Sequence, residues 1–129
     1  MAEAIARLNA ADIIEPSSAG LYPLGHLAEP TIDALEANGY SAEGLASKFI
    51  SREAVSSADL IVNLSGLPID PLFSSGPSRL TDGQRIENWD VSDPYGEGAA
   101  TYQRILEELE KRVQRLADQL RDGNRSANA

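Results

Sequence analysis

Ser57-Ala58-Asp59-Leu60-Ile61-Val62-Asn63-Leu64 is the stretch that decides the fold. Its β-branched and leucine residues run without alternation, and Asp59 and Ser65-Gly66 bound them. A strand that is apolar on both sides belongs inside a parallel sheet covered on both faces, so this run predicts a buried parallel strand. Ahead of it, Ser51-Arg52-Glu53-Ala54 reads as a helix start with Ser51 as cap and Ala54, Val55 and Ala58 behind it. After it, Gly66 to Gly83 is rich in Pro, Ser and Gly and reads as a long loop carrying a turn of helix around Pro71-Leu72-Phe73. Arg85-Ile86-Glu87-Asn88-Trp89-Asp90-Val91 then alternates and predicts a second strand.

Helical patterns flank these strands. Met1 to Ala10 reads as helix, with Ala2, Ile5, Ala6 and Leu8 as its apolar stripe. Asp12 to Pro16 is a candidate short edge strand, broken by Pro16. An irregular loop from Ser17 to His26 follows. The second helix begins near Pro30, turns Ile32, Ala34 and Leu35 inward and ends at Asn38-Gly39. Tyr40 to Ser47 reads as polar turn, and Lys48-Phe49-Ile50 as a short apolar island. The last helix is expected from about Glu97 to Arg121. Its stripe is Tyr102, Ile105, Leu106, Leu109, Val113, Leu116 and Leu120, and Glu107–Lys111 and Glu108–Arg112 stand at ion-pair spacing. Helices alternating with strands predict a three-layer α/β fold, a parallel sheet with helices on both faces. One domain is expected over residues 1–121, with a polar tail over 122–129.

Composition narrows the function. The chain has 129 residues, 42% hydrophobic but only 5% aromatic, so aliphatic side chains must fill the core. A net charge of −9 argues against a nucleic-acid backbone or an anionic membrane as partner. With no cysteine, the chain has no disulfide, no thiolate metal site and no cysteine nucleophile. The lone histidine, His26, has no carboxylate cluster beside it, so no metal is expected and no other cofactor is implied. No run is long enough to span a membrane and no basic-then-apolar leader opens the chain, so the cytoplasm is the expected location.

Asp93-Pro94-Tyr95-Gly96 is the candidate site. Pro94 drives Asp93 to an extended backbone after a strand, where its carboxyl group projects across the strand ends, a posture suited to a general acid. A cap for the last helix is the plainer reading of the same turn. The chain resembles the low-molecular-weight protein tyrosine phosphatase family and its arsenate reductase relatives. The resemblance rests on Met1-Ala2-Glu3-Ala4-Ile5-Ala6-Arg7, Ser18-Ala19-Gly20, Ala34 to Tyr40 with Ala46-Ser47-Lys48, Ala58 to Val62, and Asp93-Pro94-Tyr95, all in the family's order. It implies Asp93 as general acid, Tyr95 as a wall against the substrate's ring, and a phosphorylated protein or small oxyanion as substrate. Gly96 stands where the family's phosphatases often carry a second tyrosine.

In the family a first strand and a Cys, five residues, Arg loop precede the helix that starts this sequence. The loop's N–H groups bind the oxyanion and depress the thiol pKa for attack on phosphorus. The chain is therefore expected to be inactive as written and to lack the central strand of its sheet. Re-pairing of the remaining strands, or a second copy in a homodimer, is expected to close the gap. Three readings follow: a truncated product or internal-methionine start of a full phosphatase-like (or arsenate reductase-like) enzyme, a non-catalytic binding or regulatory module on the same scaffold, and an unrelated small α/β domain.

Overall fold

The computed structural model describes residues 1–20, 29–45, 48, 50–66, 83–92 and 97–128. They form four helices and two strands: α1 (Ala2–Asn9), α2 (Glu29–Ala37), α3 (Arg52–Ser57), β1 (Leu60–Asn63), β2 (Arg85–Asn88) and α4 (Ala99–Asn128). These fall into two compact units, one holding α1, α2 and α4, the other holding Gly20, α3, β1 and β2.

In the helical unit α4 packs against both α1 and α2. Tyr102, Leu106, Leu109, Val113, Leu116 and Ala117 are its buried residues, while Ile105 and Leu120 are half-buried, so the stripe read from the sequence is the packed face. In α1 the buried line passes through Ile5, Ala6 and Ala10, with Ala4 beside it. Leu8 falls on the flank of that line and is 62% exposed, which corrects its place in the predicted stripe. No strand follows α1. The Ala10 carbonyl accepts from both Ile13 (3.1 Å) and Ile14 (2.8 Å), so the chain turns where an edge strand was expected.

α2 ends as its sequence demands. Gly39 has φ +83°, the Tyr40 N–H donates to the Leu35 carbonyl (2.9 Å), and the Gly39 N–H donates to Glu36 (3.2 Å). This is the paired bonding of a Schellman cap, which needs a residue without a Cβ at the left-handed position.

In the other unit β1 and β2 are parallel, with Leu60 opposite Arg85 and Asn63 opposite Asn88. Gly20 makes a separate ladder, donating to the Lys48 carbonyl (2.8 Å) and accepting from the Ile50 N–H (3.0 Å). Val55 of α3 is the buried centre on which Ile50, Ile61 and Ile86 pack. Ser51 caps α3 as expected, its Oγ accepting from the Ala54 N–H (3.1 Å). At the other end the Gln84 amide donates to the Val55 and Ala58 carbonyls (both 2.8 Å), satisfying groups that a short helix leaves open. Both strands are shorter than predicted. β2 stops at Asn88 because the Val91 N–H folds back onto the Trp89 carbonyl (3.0 Å), a three-residue turn that ends the ladder. Leu60, Ile61 and Val62 are half-buried rather than enclosed, and the buried member of β1 is polar, Asn63.

Candidate functional site

Asp93 and Tyr95, the predicted acid and ring wall, lie outside the described residues, as do His26 and the turn of helix expected at Pro71. What the structure describes is the approach to them. Asn63 and Asn88 are the last residues of two parallel strands, and ligands of parallel α/β folds bind beyond such carboxyl ends. The Asn63 amide nitrogen donates to the Asn88 side-chain oxygen (2.8 Å). The Asn63 side-chain oxygen accepts from both the N–H (3.0 Å) and the hydroxyl (2.6 Å) of Ser65. The Trp89 N–H closes onto the Asn63 carbonyl (2.9 Å), and the Trp89 ring is buried. One asparagine thus ties the exit of β1 to the exit of β2, the segment that runs on toward Asp93. The sequence signal for it is a polar residue inside an otherwise apolar run, at the same strand position as a second asparagine.

In the helical unit the first turn of α1 holds the Ser17-Ser18 segment. The Glu3 carboxylate accepts from the Ser18 hydroxyl (2.6 Å) and is ion-paired to Arg7, which also donates to the Glu43 carbonyl (2.9 Å). Tyr40, expected in a polar turn, is instead buried: its hydroxyl donates to Glu110 (2.5 Å) and accepts from the Asn9 amide (3.1 Å). Its position directly after the cap glycine was the available signal, since that residue often packs back on its helix. Desolvation, and then the Glu110 carboxylate, push the Tyr40 phenol above its ordinary 10.0, while the Asn9 bond opposes them. A raised acid favours the protonated fold, so this contribution is intact below pH 10.0 and is lost as pH rises beyond it. Denaturant unfolding between about pH 9 and about pH 11 is expected to show a downward limb that Tyr40→Phe shallows. An unchanged limb in Tyr40→Phe would show that the pair does not titrate in this way.

Arg121 clamps the turn after α1, donating to both Asp12 carboxylate oxygens (2.9 and 2.7 Å) and to the Asn9 carbonyl (3.3 Å). That bidentate bond lowers the Asp12 pKa. Among the described residues no group of three metal-ligating side chains gathers, and no helix is long and apolar enough to cross a membrane.

Against this geometry, a profile of the low molecular weight phosphotyrosine protein phosphatase family matches residues 1–126. The chain belongs to that family. Similar solved structures include a low molecular weight protein tyrosine phosphatase from T. tengcongensis, at 22% identity and TM-score 0.78, covering 92% of this chain and 88% of that one. A variant of YwlE arginine phosphatase with a phosphorylated active-site serine is 25% identical over 96% of this chain and 88% of its own, with TM-score 0.77. An arsenate reductase in its phosphate-binding state is 21% identical over 92% and 86%, with TM-score 0.76. No curated protein matches the chain in sequence. The α/β fold with a parallel sheet is that of these phosphatases and reductases.

Proposed function

We propose that this chain carries the acid half of a phosphatase-family site, with Asp93 as general acid toward a phosphomonoester or small oxyanion and Tyr95 beside the substrate's ring. The 129-residue chain itself does not turn such a substrate over. The family match over residues 1–126 combined with a sequence that contains no cysteine carries this reading. A covalent step needs a thiolate to accept the phosphoryl group while the acid protonates the leaving oxygen. Asp93 alone supplies acid–base assistance, on the order of 10²–10⁴-fold, with no covalent step to assist. A cytoplasmic location accompanies this reading.

Incubation of the chain with para-nitrophenyl phosphate is expected to release no nitrophenolate above the buffer rate. Turnover that Asp93→Asn abolishes would overturn the inactivity while supporting the role of Asp93. The missing thiol also favours a second reading, a module that binds a phosphorylated protein without hydrolysing it. Calorimetric titration with a phosphotyrosine peptide, against its unphosphorylated form, separates the two: heat with only the phosphorylated peptide supports binding.

A further inference from the structure

On the outer side of α4, Lys111, Gln114, Arg115, Asp118, Gln119 and Asp122 are all exposed. They border an open trough of about 670 Å³. Lys111, Arg115, Asp118 and Asp122 follow one another at steps of four, three and four, so they form a single stripe about 16 Å long. The sign of charge changes once along it, two cations and then two anions. Both like-charged pairs sit at i,i+4 spacing, which works against an isolated helix. Among the described residues Lys111 and Arg115 form no ion pair. Glu107, one turn before Lys111, accepts instead from the Gln103 amide (3.2 Å), so the predicted Glu107–Lys111 pair is absent, whereas Glu108–Arg112 forms at 2.9 Å. Asp118 accepts from Gln114 (3.0 Å) and lies 3.4 Å from Arg121, and both of these bonds are exposed.

We propose that this stripe is an interface between two copies of the chain, with their α4 helices antiparallel about a two-fold axis between Leu116 and Ala117. In that register Lys111 faces Asp122 of the other copy and Arg115 faces Asp118. Each pairing occurs twice, as an isologous contact requires. Glu110 falls opposite Gly123, so no like charges meet there. The charge order selects a second copy over another partner, because the pattern is complementary to its own reverse. The stripe is also neutral on a chain of net charge −9, so two copies approach along it without the repulsion that the rest of the surface imposes. An interface of exposed ion pairs makes a weak, exchanging dimer.

Charge reversal tests the register. Sedimentation velocity over about 10 μM to about 1 mM is expected to show wild-type self-association. In K111E/R115E the stripe becomes wholly acidic, and in D118K/D122K wholly basic. Each variant alone is expected to dimerise at least about tenfold more weakly, and an equimolar mixture to form mixed dimers. K111E/R115E breaks no bond among the described residues, and circular dichroism of both variants checks that α4 is intact. A wild type that stays monomeric throughout, variants that associate as the wild type does, or a mixture that stays monomeric would each overturn the proposal.

Discussion

Replacing Leu106 by alanine is expected to remove about 2–5 kcal/mol of stability, a large part of the roughly 5–15 kcal/mol that a domain has. Leu106, Ile5 and Leu35 are the largest fully buried side chains, one on each helix of the helical unit. Truncation removes apolar surface that water never touches and leaves a cavity that three packed helices collapse only in part. Thermal unfolding followed by circular dichroism should fall by about 10 °C. Leu8→Ala, at an exposed position of α1, should stay within about 0.5 kcal/mol of the wild type. Equal effects at Leu8 and Leu106 would show that α4 does not pack as described.

Asn63→Leu should cost about 1–3 kcal/mol although it keeps the side chain's branching and heavy-atom count and adds apolar surface. Leucine leaves the Ser65 N–H and hydroxyl and the Asn88 side chain without the partner that Asn63 provides. Ser65 and Asn88 are themselves exposed and regain water, so what is lost is the net worth of three hydrogen bonds, about 0.5–1.5 kcal/mol each, which the apolar gain offsets only in part. Trp89, the only tryptophan, sits directly after Asn88 and reports the change: its emission should shift to the red as the strand ends loosen. A variant as stable as the wild type with unshifted emission would mean that the Asn63–Asn88 tie holds nothing in place.

Features set by neighbouring residues were legible in the sequence. The Ser51 cap, the glycine that ends α2, the pairing direction of β1 and β2 and the buried stripe of α4 each follow from a few adjacent side chains. What escaped depends on residues far apart. Tyr40 reads as part of a polar turn until Glu110, seventy residues on, is brought to its hydroxyl. Asn63 interrupts an apolar strand until Asn88 is seen at the same register. The choice between Glu107–Lys111 and Glu108–Arg112 turned on Gln103, a competing donor one turn upstream. α4 was expected to stop at about Arg121 before a polar tail, yet it continues to Asn128 through the weak helix formers Asp122-Gly123-Asn124. Extending a helix already nucleated costs far less than starting one. The family resemblance, by contrast, was carried by short motifs in order along the chain, and the family match spans the same residues.

The clamp of Arg121 on Asp12 joins residues 109 apart in sequence, and α1 packs on α4 across a similar span. During synthesis at about 5–20 residues per second, the first helix waits on the order of 5 to 20 s for the partner that covers it. The β1–β2 ends, joined by Asn63 and Asn88 only 25 residues apart, meet much sooner. The nascent chain therefore assembles from its middle outward, and until the last helix leaves the ribosome Ile5 and Ala6 remain exposed for a chaperone to hold.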